Sequence, residues 1–170
     1  RKKQMEKFMN NEELQNIFKD YENIEIIEGG KTRQESVYNG LKSCKCDYVI
    51  IHDGARPIIS TELINICAAM VKEVNALSVM TKTIDTIKEV QHGKIIRTID
   101  RSKLYNTQTP QAFSYDLILK AHEKFNGRNF TDDAGMVEEL GEDVYVIDGS
   151  YKNIKITTQS DIDLAKVYLG

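Results

Sequence analysis

The chain is poor in the features that mark a membrane, secreted or nucleic-acid-binding protein. No long apolar run and no low-complexity tract interrupts it, and no signal peptide is recognisable, so a soluble, cytoplasmic protein with no membrane partner is the expectation. Cysteine is scarce. Cys44, Cys46 and Cys67 are an odd set with one close pair, which argues for reduced thiols over a zinc site or a disulfide framework. Charge of one sign is also lacking: a net charge of -3 creates no global field that would draw nucleic acid, so an anionic substrate must be held by local Lys and Arg. No internal repeat or linker divides the 170 residues, and 41% hydrophobic content suits one domain with a buried core. Neither a Ser-His-Asp nor a Cys-His order suggests itself, which ranks nucleophilic catalysis below phosphate handling by cations.

What is present is an alternation of strand-like and helix-like runs. Met5, Phe8, Met9, Leu14, Ile17 and Phe18 sit at helical spacing in an opening helix that has no capped start. "NIEIIEGG" reads as a strand, "RQESVYNGLKS" as a helix, and "YVIIHD" as a buried strand. Ser60 or Thr61 can cap a helix with Leu63, Ile64, Cys67, Ala68 and Val71 on its apolar stripe. Between Ala76 and Asp100 two β-rich runs joined at "QHGK" predict a hairpin extending beyond the body, and an isolated ribbon of that kind calls for a second subunit to cover it. After "LYNTQTPQAF" come a helix from Ser114 with Leu117, Ile118, Ala121 and Phe125 inward, and another from Thr131 or Asp132 that Gly141 ends. "DVYVIDG" and "NIKITT" read as strands, and a last helix from Ser160 turns Leu164, Ala165, Tyr168 and Leu169 inward. The alternation predicts a three-layer α/β fold with a mostly parallel sheet.

Four loops carry polar residues that propensity does not explain. In "EGGKTRQES" the glycine pair would let backbone amides approach a ligand, with Ser36 at or near a helix start, or it would simply turn the chain. In "HDGARP", Asp53 can hold Mg²⁺ or a hydroxyl and Arg56 can fork onto a phosphate at a strand's carboxyl end, where open α/β sheets bind ligands; a structural Asp-Arg pair closing a turn is the alternative. "IDRSKLYNTQTPQ" offers Arg101 and Thr109, and "YKNIKITT" offers Lys155, whose alternation with Ile154 and Ile156 turns it away from the core. Each has a plainer reading: Arg101 as a surface ion-pair partner, Lys155 as a solvated strand residue, Thr131 and Asp132 as a helix cap. The histidines are read as a hydrogen-bonded strand-end or core residue (His52), a turn residue (His92) and a helix-surface residue (His122).

Taken in order, "EGGKTRQESVYNGL", "VIIHDGARP", "KTIDTIKEV", "TIDRSKLYNTQTPQAF", "TDDAGMVEELG" and "DGSYKNIKITTQSDIDLA" resemble the 2-C-methyl-D-erythritol 4-phosphate cytidylyltransferase family over nearly all of the chain from Glu28. The resemblance implies a Rossmann-like nucleotidyltransferase fold whose β-arm, about residues 82–101, embraces a second subunit of a homodimer. It implies attack of the substrate phosphate on the α-phosphorus of CTP, with Mg²⁺, giving the CDP-linked methylerythritol and pyrophosphate. By position, Gly30, Lys31, Ser36, Asp53 and Gly54 fall to the nucleotide, and Asp53 also to metal and substrate. Arg56, Thr109 and Thr131 fall to the polyol phosphate, Thr86 and Arg101 to the site of the partner subunit, and Lys155 with Arg101 to the attacking phosphate. The family's first strand and its glycine-rich loop with an Arg and a Lys have no match here, since Arg1, Lys2 and Lys3 are not followed by such glycines. These 170 residues alone are therefore expected to start after that segment and to be inactive and poorly folded. A ribitol 5-phosphate cytidylyltransferase, or a catalytically dead dimeric relative, stands as the alternative.

Overall fold

The computed structural model of the chain describes residues 10–19, 21 and 23–170. Met5, Phe8 and Met9 of the expected opening helix lie outside the described residues, and the rest of that stretch forms α1 (Glu12–Phe18). There follow α2 (Arg33–Ser43), β1 (Tyr48–Ile51), α3 (Thr61–Val74) and β2 (Ala76–Lys82). A hairpin of β3 (Ile87–Gln91) and β4 (Lys94–Ile99) and a 3₁₀ turn (Arg101–Lys103) lead into β5 (Tyr105–Ser114). The chain then runs through α4 (Tyr115–Lys124), α5 (Ala134–Glu139), β6 (Tyr145–Asp148) and α6 (Gln159–Leu169).

The main sheet has the order β1-β5-β2-β6. β5 pairs antiparallel with β1 and β2, and β2 pairs parallel with β6, so β1, β2 and β6 share one direction and β5 runs against them. Adjacent residues of β5 feed opposite faces, as the pleat requires. Phe113 packs with Leu41, Ile118, Ala121, Phe125, Met136 and Val137 from α2, α4 and α5 or their ends, while Ala112 packs with Leu63, Cys67, Val71, Leu77 and Val79 on the α3 side. Those two cores make the three layers.

Local signals explain most elements. The Ser60 hydroxyl caps α3 by accepting from Leu63 N at 3.1 Å, and Asn75 ends that helix in the left-handed region at φ 63°. α6 begins with a full capping box between Thr158 and Asp161. The hairpin turns through His92 and Gly93, both at positive φ, the two-residue loop whose twist matches its strands.

Four expectations need correction. "LYNTQTPQAF" is a long central strand, concealed because Gln108, Thr109 and Gln111 are buried polar residues and Pro110 interrupts the strand pattern. Residues 24–30 and 153–158 form no strand and join no ladder; Ile156 N donates to Ala55 O at 2.8 Å. β-like alternation marks a stretch that could pair, and among the described residues neither finds a ladder partner. His122 is buried, not a helix-surface residue, because its ring stacks on Tyr38 with centroids 5.9 Å apart. On α6 only Ala165 is buried, with Leu164 and Leu169 exposed. Among the described residues no helix is long and apolar enough to cross a membrane.

Candidate active site

A cleft of about 370 Å³ opens where the chain leaves β1 and crosses β5, and Arg33, Asp53, Arg56, Thr109, Thr131 and Lys155 are among its lining residues. Asp53 is at its centre. Its Oδ1 takes Arg33 Nε at 3.1 Å and its Oδ2 takes Lys155 Nζ at 2.8 Å, while its backbone N–H donates to Thr109 Oγ1 at 3.0 Å. Partial burial alone would raise the carboxyl's pKa, but the hydrogen bonds and charges of Lys155 and Arg33 prevail and hold it below the usual carboxylate range.

Arg56 is held differently. Its Nη1 donates to Asn153 O at 2.7 Å and its Nη2 to Thr107 O at 3.4 Å, so backbone carbonyls aim the guanidinium and, among the described residues, no carboxylate pairs with it. Its Nε is buried without a hydrogen-bond partner. Burial pulls its pKa down, only partly offset by Asp53. Such a cation at a cleft wall suits an incoming anion. Buried Asn153 also fixes the β5 side by donating Nδ2 to Thr109 O at 2.8 Å. His52 completes the turn with Nδ1 3.1 Å from Thr109 Oγ1 and Nε2 2.9 Å from Arg56 O, consistent with a hydrogen-bonded strand-end histidine.

Behind this layer lies a second carboxylate. Asp133, fully buried, has Oδ2 2.8 Å from Arg33 Nη1 and Oδ1 3.1 Å from His122 Nε2. Gln111, also fully buried, accepts from Asp133 N and Ala134 N at 3.1 Å and donates to Asp132 Oδ2 at 2.8 Å, pinning the start of α5 to β5. For Arg33, burial by itself lowers the pKa, yet Asp133 and then Asp53 raise it above the ordinary value.

Of the residues singled out from the sequence, the cleft gathers Asp53, Arg56, Thr109, Thr131 and Lys155. Gly30 and Lys31 instead line a shallow neighbouring hollow with Gly29 and Glu35. There Gly30 N donates to Ser36 Oγ at 3.0 Å and Lys31 N to a Glu35 carboxylate oxygen, and a Cβ on Gly30 would run into Glu35. Gly54 is an exposed turn residue beside Asp53 and does not line the cleft. Thr86 and Arg101 lie at the base of the hairpin, exposed, with Arg101 Nη1 donating to Ile84 O; this chain does not bring them into its own cleft. Sequence reasoning passed over Arg33, Gln111, His122 and Asp133. Arg33 belongs to the "EGGKTRQES" stretch, but its partners Asp53 and Asp133 are remote in sequence, so no local pattern marks it.

The family model described as IspD, 2-C-methyl-D-erythritol 4-phosphate cytidylyltransferase, matches residues 5–170. The protein of that name from Clostridioides difficile is 44% identical over 155 residues, covering 89% of this chain and 65% of the relative. Its namesake from Bacillus pumilus is 44% identical over 150 residues, covering 86% and 66%. The chain thus spans just under two thirds of the length of these relatives. Among solved structures, the 4-diphosphocytidyl-2C-methyl-D-erythritol synthase of Anaerococcus prevotii superposes with a TM-score of 0.84 at 37% identity, covering 92% of this chain and 72% of that one. The cytidylyltransferase of Thermus thermophilus superposes with a TM-score of 0.79 at 31% identity, covering 84% and 72%.

Proposed function

Because this chain belongs to the 2-C-methyl-D-erythritol 4-phosphate cytidylyltransferase (IspD) family, we propose that its cleft serves a reaction joining that polyol phosphate to CTP with release of pyrophosphate. The observation that carries the reading is Arg56, a partly buried guanidinium aimed by carbonyls at a cleft whose carboxylate, Asp53, is already satisfied by other cations. A phosphate monoester is itself a nucleophile, so the site needs no general base. It needs cations that let two anions approach, and oriented donors where charge grows.

Arg56 and Lys155 would receive the polyol phosphate, Lys155 by turning from Asp53, with Thr109 and Thr131 at the walls. Gly30, Lys31, Ser36 and Gly54 would serve the nucleotide from the adjoining loops. Thr86 and Arg101 would reach the cleft of a second copy, with Arg101 joining Lys155 on the attacking phosphate. Support for such a homodimer comes from the hairpin, whose Val90, Ile95 and Ile96 are more than half exposed.

Asp53 fits a Mg²⁺ ion only in part. Arg33 and Lys155 occupy its oxygens, and no group of three His, Cys, Asp or Glu gathers among the described residues. Mg²⁺ commonly binds through one carboxylate, water and substrate phosphates, so Asp53 would hold it once nucleotide supplies the remaining ligands. When bound, the ion would offset phosphate charge.

A pyrophosphate-release assay on the natural protein tests the reading. Release with CTP and 2-C-methyl-D-erythritol 4-phosphate, well above that with ribitol 5-phosphate, is expected; the reverse preference, or no release with either, contradicts it.

A further inference from the structure

Resting on that reading, we infer that Asp133 and His122 are positioning residues: from behind the cleft they hold the Arg33 guanidinium across Asp53, keeping it a partner of the protein and not of the substrate. Arg33 opens α2, and Thr32 caps that helix by accepting from Glu35 N at 3.0 Å, so the root of the side chain is fixed. Its planar head spans two carboxylates, with Nε on Asp53 and Nη1 on Asp133. A lysine's point charge cannot make that bridge.

Asp133 is restrained at its backbone and at Oδ1, while its Oδ2 meets Arg33 Nη1 as a close ion-pair contact at 2.8 Å and not as a well-aligned hydrogen bond. Its backbone is tied to Gln111, its Oδ1 to His122, and the His122 ring to the parallel face of Tyr38, with 7° between the planes. The His122 side chain is only 1% exposed, so little freedom remains in the chain of contacts. Arg33, by contrast, is one-third exposed at the cleft and close to the place proposed for the phosphates. Released by Asp133, it would swing onto a phosphate and leave the Asp53 carboxylate without its compensating charge beside a polyanion. Ground-state binding would change little, because one cation is gained by the phosphate as another is lost by Asp53. The turnover step, which depends on where those charges stand, would suffer.

The test uses Asp133→Asn and Arg33→Lys, singly and together, in the natural full-length protein. Each single substitution is expected to lower kcat about 10–100-fold while KM for CTP and for the polyol phosphate stays within about 3-fold, and the pair to be no more than about 2-fold worse than the worse single, as groups acting as one unit behave. Without any substrate, solvent exchange of the Arg33 Nε–H proton, followed by NMR, is expected to be slow in the wild type and about 10-fold or more faster in Asp133→Asn, as a lost bridge would make it. Unchanged exchange, multiplicative losses, or a loss carried by KM would overturn the inference. Should Asp133→Asn not fold, Arg33→Lys decides, since it keeps helix and charge: near-wild-type kcat there overturns the inference. A wild type that releases no pyrophosphate would sink the proposed reaction, whereas the exchange measurement would still read the bridge.

Discussion

In and behind the cleft, Asp53 and Asp133 are shared among Arg33, Lys155 and His122, while Arg56 stands apart with no carboxylate partner among the described residues. Along the hairpin the side chains stand in water: the Arg97–Glu89 pair is largely exposed, Lys88 donates to Thr98 across the ribbon, and Val90, Ile95 and Ile96 are exposed. The difference teaches where each region finds its order. The cleft is built by long-range pairs that the sheet brings together, so a substitution there disturbs charge placement within one chain. Among the described residues the hairpin is held mainly by its turn and its cross-strand pairs, and surface ion pairs add little to it. Its exposed apolar residues have meaning only against something else, which we propose is a second copy of this chain.

That contrast can be broken in order of expected effect. Arg56→Ala should lower kcat/KM about 100–1,000-fold, the loss typical of one oriented donor at developing charge, with the melting temperature nearly unchanged. A loss below about 10-fold in pyrophosphate release would deprive Arg56 of its proposed role. Ile95→Asp should next shift sedimentation from dimer toward monomer while the body still melts cooperatively near its normal temperature. An unchanged oligomeric state would show that the hairpin is not what joins the copies.

The smallest effect is expected at α6, where a carboxylate near the surface acts locally. Backbone N–H groups of Thr157 and Thr158, then their hydroxyls, hold Asp161 down to about 2. Because the folded pKa is depressed, its contribution is complete above the ordinary carboxylate value of about 3.9 and is lost as the pH falls through about 2. Asp161→Asn should therefore flatten the acid side of the melting-temperature profile in that window and leave neutral pH activity alone. An unaltered acid slope would remove the capping carboxylate from the account.

How much of this was legible depended on the range of the forces involved. Leu63, Cys67 and Val71 of the expected α3 stripe, the Ser60 cap and the His92–Gly93 turn follow from local pattern and the structure reproduces them, whereas Ile64, placed on the same stripe, is exposed and Ala68 only half-buried. The alternation around Lys155 correctly turned its side chain from the core, although no strand forms there. β5 was hidden because its burial is polar: Gln111 lies inside through bonds to Ser78, Asp132, Asp133 and Ala134, none of them readable from an apolar period. His122 looked like a surface residue for the same reason, its partners Asp133 and Tyr38 coming from other elements. Likewise Arg33 gains its place only when α2 is laid against both Asp53 and Asp133.

The claim that cleft and hairpin complete one another across two chains is tested most directly by mixing an Arg101→Ala chain with a Lys155→Ala chain, each inactive by itself. If the hairpin crosses, half of randomly mixed dimers are heterodimers and each keeps one intact site, so activity should recover to about one quarter of the wild-type value. No recovery, with heterodimers demonstrated in the same sample, would show that each site is made within a single chain and would contradict the account.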